Sequence, residues 1–487
     1  MTHQPLTTYQ QHHLRVVFDH HAAYLYGPMV KASEAHVVML AEQGLVPADA
    51  AAQMLRGLVK LRDDRPGTFE YDGSVEDTYF TLEKRLAEAC GIPTGQLSVQ
   101  LARSRNDLDS GVFRMVLRDQ LLGVIAALGD AGTVLLDRAD RYADVVVVGY
   151  THRRPAQPTT IGHVLAGYAE ALAGQAAAYA SLLAEMNRSP LGSCAFAGTD
   201  LAIDPHRVAE LLGFDEVVVN SYEAVAGADH LMRTGALNAQ ATATGARVAR
   251  TLMDWLTWEW VRTPEEFTQG SSIMPQKRNP VVLEHLVSMA GATAADAASV
   301  FNNVGAAWWE DSNNATTDVQ VRLWESNDRA YRFFALLGGL FERLEPLRPP
   351  NAETIVATGA TTTAAADALT RHGLPFRAAH SVIGRLVRSG PPATWTDDGI
   401  REAARDVAGI DPLGDAAVQD LRAAALLPEL VLRRAQSDGP GEAAVRAQVA
   451  RLRSHLDATL AEVDALRHRL READTKLAAV VAERAAQ

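Results

Sequence analysis

The chain has 487 residues, of which 47% are hydrophobic, 22% charged and 6% aromatic, and its formal net charge is −13. That length suggests about three domains, and the acidic balance shows nothing of the basic face that a nucleic-acid binder presents. Cys90 and Cys194 are the two cysteines and stand far apart, so neither a disulfide framework nor a metal-ligand spacing is present and a reducing, cytoplasmic setting fits. The N-terminus, MTHQPLTTYQQHH, has no basic region followed by an apolar run, and no uninterrupted apolar stretch of about 18 residues occurs, so neither a signal peptide nor a membrane span is expected. Alanine, which loses no side-chain entropy in a helix, is abundant throughout, and a mostly helical protein is expected.

Residues 1–110 read as an N-terminal helical domain of short helices and loops. Helical stretches fall at Ala32–Gln43 and Glu76–Cys90, the second entered from Asp72-Gly73-Ser74 with Ser74 as its N-cap. Residues 111–350 read as a central bundle of long helices. In 163–187 the positions Leu165, Tyr168, Leu172, Ala176, Tyr179 and Leu183 recur at spacings of three and four, which is one helix face. Residues 246–262 contain neither Gly nor Pro and carry Val248, Leu252, Trp255, Leu256 and Trp260. Such rods are best buried against one another.

Arg348-Pro349-Pro350 breaks the chain before a C-terminal helical domain at 351–440, which contains a second breaker, Gly390-Pro391-Pro392. Residues 441–487 differ in kind. Val445, Val449, Leu452, Leu456, Thr459, Val463, Leu466, Leu470, Ala473, Leu477 and Val480 alternate spacings of four and three, a heptad seam in a segment otherwise rich in Arg, Glu and Asp. This terminal helix either pairs with another chain as a coiled coil or lies on the body of its own.

Three segments carry groups suited to chemistry. GSSIMPQKRNP at 270–280 opens on small residues, and Pro275 and Pro280 limit helicity, so it reads as an exposed loop. Ser271, Lys277 and Asn279 supply a base, a cation and a hydrogen-bond donor, the groups needed to remove a proton beside a carboxylate and stabilise the charge that develops. The plain alternative is a flexible polar loop. Gly149-Tyr150-Thr151-His152, followed by Ala156-Gln157-Pro158 and Gly162-His163, offers a histidine that titrates near neutral pH, although a lone histidine before a loop is more often structural. Arg103-Ser104-Arg105-Asn106-Asp107 can grip a carboxylate through a guanidinium fork and neutral donors, or be a solvated charge run.

Together these segments resemble the fumarase/aspartase superfamily, and within it argininosuccinate lyase. GSSIMPQKRNP is similar to the superfamily's signature loop, GYTH…AQP…GH to its second conserved region and RSRND to the first. The resemblance covers about residues 15–455. It implies an all-α fold of three helical domains, with a central long-helix bundle that forms a twenty-helix homotetramer core. Active sites would draw the three segments from three different subunits and would need no metal or organic cofactor. The implied reaction is β-elimination, releasing fumarate from an N-substituted aspartate such as argininosuccinate.

By the same resemblance Ser271 is the base, Lys277 and Asn279 stabilise the aci-carboxylate intermediate, and His152 assists proton transfer while Glu284 orients it. Ser33, Ser104, Arg105, Asn106, Thr151 and Gln276 are implied substrate contacts. The pattern breaks in three places. After RSRND the family's Gln and Val/Ala-Thr-Asp run is replaced by Leu108-Asp109-Ser110-Gly111-Val112, with Ala102 for a glycine before it. An ungapped count places Asp311-Ser312-Asn313-Asn314-Ala315-Thr316 on the family's substrate-contacting Tyr-Asn-(Lys/Arg)-Asp-Leu-Gln stretch and Val319 on a following lysine; alternatively Asp318-Val319-Gln320 matches the end of that stretch. Either way the tyrosine and lysine are missing, as is an N-terminal Gly-Gly-Arg-Phe element. The succinyl-side residues survive and the amine-side residues change, which points to the same chemistry on a different amine. A non-catalytic or scaffold homologue organised by the coiled coil is one alternative, against which Ser271, Lys277 and His152 all stand. A superfamily ammonia-lyase or hydratase is another, against which the RSRND form stands.

Overall fold

The long helices begin where the sequence can satisfy their first N–H groups. A computed structural model describes residues 6–64, 70–411 and 413–487. Its N-terminal part holds α1 (Arg15–Glu42), α2 (Ala48–Leu61) and α3 (Thr78–Cys90). The first is one long helix and not the short element expected from Ala32–Gln43. The cap of α3 is Asp77, whose carboxylate accepts from the Phe80 N–H, and not Ser74.

The middle contains α4 (Arg105–Arg141), the hairpin β1 (Val146–Thr151) and β2 (Arg154–Thr160), and α5 (Ile161–Met186). It continues through the short α6 (Pro205–Leu211) and α7 (Ser221–Ala226) to α8 (Asp229–Thr257), α9 (Val281–Gly305) and α10 (Gln320–Glu342). The helix expected across 246–262 ends at Thr257, where Glu259 takes a positive φ of 58° and turns Val261–Arg262 back to pair with Glu345–Pro346. No glycine or proline marks that turn.

Side-chain contacts fix the directions of the five long helices. Gln120 bonds Asn327, and a Cβ on Gly338 would touch Ala131, so α4 and α10 run parallel. Arg114 meets His230, so α8 starts at the same end. Thr242 bonds Thr293 and Gly235 faces Ala297, so α9 runs back against α8. Tyr179 bonds Asn238 deep in the bundle while Tyr168 faces Thr251, so α5 also runs back. The N-termini of α4, α8 and α10 therefore share one end, and those of α5 and α9 share the other. At 1.5 Å per residue, α4 alone spans roughly 55 Å. A window of α4 is as apolar as a membrane span, and most of it is buried inside this bundle.

The helices α11 (Ala352–Ala357), α12 (Thr362–Arg371), α13 (Phe376–Ser389), α14 (Asp397–Ala408) and α15 (Asp415–Leu426) follow, and an apolar cluster of their own includes Leu369, Val382, Ile400 and Leu421. The last helix, α16 (Glu442–Ala485), lays its apolar seam on α4 and α5 of the same chain. Of the two arrangements open to the heptad, this is the one on the body. Gly129 and Gly132 let α16 approach, since a Cβ on Gly129 would stand 2.6 Å from Leu460. The buried seam runs from Val445 to Val481 rather than Val480. A strict heptad drifts about 20° per repeat on a straight helix, so five repeats displace the buried face by about one residue.

One carboxylate ties the start of α4 to the loop before α6. Asp107 is fully buried and accepts the N–H groups of Ser104 at 2.9 Å and of Gly192 and Cys194 at 3.0 Å each. Burial pushes its carboxyl up to about 6, against the pull of those donors. Asp107→Ala leaves three partly buried donors without their acceptor, each costing roughly 1–3 kcal/mol; urea titration should show a loss of about 3 kcal/mol or more. Leu456 sits fully buried in the α16 seam, and Leu456→Ala should cost about 2–5 kcal/mol in the same titration.

Candidate active site

Arg105 and Asn106 begin α4, capped by Ser104, whose hydroxyl accepts from the Asn106 N–H. Arg105 pairs with Asp77, approaches Glu76 at 3.8 Å and lies over the Phe80 ring. Asn106 donates its amide to the Ala195 carbonyl at 3.3 Å. A cleft opens beside them, walled by α1, the start of α3, the first two turns of α4 and the 311–320 stretch that precedes and begins α10. Ser33 is fully buried (0% exposed), and its hydroxyl accepts from Arg103 at 3.2 Å. It faces that guanidinium in the core.

The other expected residues lie at the opposite end of the bundle. Thr151 and His152 form the exposed tip of the β1–β2 hairpin, where His152 and Arg153 take positive φ values of 50° and 65°. Two successive positive φ angles make the tight turn that matches strand twist. The hairpin is held close to its turn: Tyr150 stacks on Trp258 at 4.7 Å, and Arg153, in the turn itself, pairs with Asp254 near the end of α8, while His152 stays exposed.

The loop 270–280 stands before α9 at that same end. Its base is closed by Gln269–Gly270 pairing with Arg278–Asn279, and by the Asn279 amide donating to the Gln269 carbonyl at 3.1 Å. Ser271 Oγ accepts two backbone N–H groups, from Met274 at 3.0 Å and Ile273 at 3.3 Å. Donors aimed at a hydroxyl oxygen favour its ionised form. Gln276 and Lys277 are exposed, as are Ile273 (82%) and Met274 at the loop tip. Glu284, in the first turn of α9, is exposed as well.

One protomer thus groups Ser104, Arg105 and Asn106 at one end, and Thr151, His152, Ser271, Gln276, Lys277, Asn279 and Glu284 at the other. The cleft also contains residues that motif reading did not assign a role. Asp109 lies one turn after Arg105, and Asp311, Asp318 and Gln320 face it from the stretch before and at the start of α10. Burial and then the neighbouring Asp77 push the Asp109 carboxyl up to about 8. Burial raises Asp311 and Asp318 too, and holds His21 down at about 4. Asp109 and the 311–320 residues fall in two of the three places where the family pattern breaks.

Residues 9–294 match a family model described as lyase, and residues 359–401 match one described as argininosuccinate lyase C-terminal. Argininosuccinate lyase of Natronomonas pharaonis is 34% identical over 81% of this chain and 78% of its own length. That of Halobacterium salinarum is 34% identical over 87% of this chain and 86% of its own. Among solved structures, EDDS lyase in complex with formate superposes with a TM-score of 0.84 at 29% identity, covering 98% of this chain and 95% of that one. Class II fumarase from Schistosoma mansoni shares the fold alone, with a TM-score of 0.67 at 16% identity over 83% of this chain and 91% of its own. The motif-bearing loops, the parallel and antiparallel threading of the bundle and these matches agree: the chain belongs to the argininosuccinate lyase family of the fumarase/aspartase superfamily, and is a carbon–nitrogen lyase that releases fumarate.

Proposed function

We propose that the protein cleaves an N-substituted aspartate by β-elimination, with Ser271 as base, in a homotetramer whose sites are shared between subunits. The observation that carries this reading is the pair of backbone N–H groups on Ser271 Oγ in an otherwise exposed loop. A serine hydroxyl is a weak base until its alkoxide is stabilised, and these two donors act on the atom that must ionise.

In this reading the alkoxide of Ser271 removes a proton from the β-carbon of the succinyl group. The electron pair moves into the adjacent carboxylate, giving an aci-carboxylate that Lys277 and Asn279 stabilise. The pair then forms the carbon–carbon double bond as the carbon–nitrogen bond breaks, and the amine leaves with a proton. Arg105, Ser104 and Asn106 hold the succinyl carboxylates, with Thr151 and Gln276 as further contacts. His152, oriented by Glu284, carries protons. Ser33 positions Arg103.

The opposed ends of the bundle support sharing. The Ser271 loop and the His152 hairpin reach an Arg105 cleft only when other copies bring them there. Argininosuccinate is one candidate substrate, and the changed 311–319 stretch favours another amine. The two cysteines are free thiols, which fits action in the cytoplasm.

Ultraviolet detection of fumarate from a panel of N-substituted aspartates, argininosuccinate included, tests the reading. Ser271→Ala should lower turnover about 10²–10⁴-fold, the range for loss of a positioned base, with helix content and oligomer size unchanged. Retained turnover would remove Ser271 from the role of base.

A further inference from the structure

Arg114 and His230 are buried side chains that the proposed reaction does not use. Arg114 comes from α4 and His230 from the first turn of α8, and the His230 ring lines the cleft beside Arg105. An Arg114 N–H donates to His230 Nδ1 at 3.5 Å. A guanidinium has donors and no acceptor, so Nδ1 is the unprotonated nitrogen and Nε2 carries the ring proton. Burial and then Arg114 hold the imidazole well below its usual range, so the ring stays neutral near pH 7. Among the described residues the bond to Arg114 is the only one the ring makes, which leaves Nε2–H without an acceptor.

The guanidinium behind the ring lacks a counter-ion. No carboxylate among the described residues lies within ion-pair distance of Arg114, and its Nε has no hydrogen-bond partner among them. Burial and then Arg188 pull Arg114 down to about 10, while Glu185 and Glu223 oppose that only through space. A buried cation without an opposite charge is costly, and an anion in the cleft at His230 would offset part of that cost. The segments proposed to arrive from other copies do not supply one: the hairpin turn at Thr151-His152-Arg153 and the loop 270–280 carry no carboxylate, and Glu284 is committed to His152. Within the cleft, Glu76 and Asp77 are engaged by Arg105. Burial raises the carboxyls of Asp109, Asp311 and Asp318, which weakens their opposition to an incoming anion.

We propose that His230, positioned by Arg114, donates from Nε2 to a carboxylate on the amine half of the substrate and so selects a leaving amine that carries an acid group. The inference rests on the lyase reading above and narrows its substrate class. Arg105 and Asn106 grip the succinyl carboxylates at the first turn of α4. Arg114 stands more than two turns further along that helix, roughly 14 Å along its axis, which is further than a succinyl group extends. The group that meets His230 therefore belongs to the amine. A neutral donor backed by a buried guanidinium favours an acceptor that carries charge. An alkyl or ammonium end would leave Nε2–H unpaired.

The test measures fumarate release by the full-length protein from N-(3-carboxypropyl)aspartate, N-(5-carboxypentyl)aspartate and N-butylaspartate. The expected result is a kcat/KM for the better carboxyalkyl compound at least tenfold above that for the butyl compound, carried mainly by KM. His230→Leu should reduce that ratio at least fivefold, and His230→Gln, whose amide places an N–H near the position of Nε2, should restore at least half of it. Equal rates in the wild type, a ratio undiminished in His230→Leu, or a ratio that glutamine does not restore would overturn the inference while leaving the lyase reading intact. Nitrogen-15 NMR of histidine-labelled protein reads the tautomer with no substrate present: His230 should be neutral with its proton on Nε2, and a proton on Nδ1 would overturn the inference. Should no aspartate derivative release fumarate, the lyase reading falls, yet calorimetric binding of 6-aminohexanoate at least tenfold tighter than hexylamine, and weakened at least tenfold in His230→Leu, would still support the donor's role. Absence of 6-aminohexanoate binding to the wild-type protein would overturn it.

Discussion

The threading of the five-helix bundle governs everything that happens at its ends. A helix cannot bend its first turn round to meet its last, so a loop belongs to whichever end its helix leaves it at. Because α4, α8 and α10 point one way and α5 and α9 the other, the Arg105 segment and the 311–320 stretch gather at one end. The His152 hairpin and the Ser271 loop gather at the other. A rod roughly 55 Å long separates them. The proposed reaction, which needs the Arg105 grip and the Ser271 base on the same small molecule, therefore calls for more than one copy of the chain.

Rigidity at the α4 end follows from one buried carboxylate. Asp107 gathers three backbone N–H groups from two segments far apart in sequence and fixes the turn on which Arg105 and Asn106 stand. The opposite end is built for contact. Its hairpin is anchored by Tyr150 on Trp258 and leaves His152 exposed, and its Ser271 loop is closed at the base and open at an apolar tip. In the proposed shared site the first end receives the substrate and the second reaches it from another copy.

Much of this was legible in the sequence, because the informative residues repeat or cluster. GSSIMPQKRNP declares a loop through its prolines and small residues, and the heptad declares a long helix with one apolar face. Which surface that face covers was not legible, since the same seam suits a second chain or the protein's own α4 and α5; Gly129 decides it by letting Leu460 approach. The β1–β2 hairpin was missed because its turn uses His152 and Arg153 in place of the usual Asn-Gly. The α8 terminus was missed because Glu259 makes its turn without Gly or Pro. Asp109 stood out in the sequence only as part of a stretch that departs from the family pattern, and it is packing between α4 and the 311–318 stretch that makes it a wall of the cleft. Ser33, a ligand contact by the resemblance, is buried and accepts a hydrogen bond from Arg103, a partner that the motif did not name.

The central claim is that a working site needs opposite ends of different copies. Mixing two variants that are each inactive tests it directly: one damaged at the reaching end, Ser271→Ala, and one at the receiving end, Arg105→Ala, dissociated together and reassembled. The account predicts that fumarate release returns in the mixture, since some mixed sites then draw an intact Ser271 from one chain and an intact Arg105 from another. A mixture as inactive as its two parents, with mixed oligomers demonstrated by mass spectrometry, would contradict it.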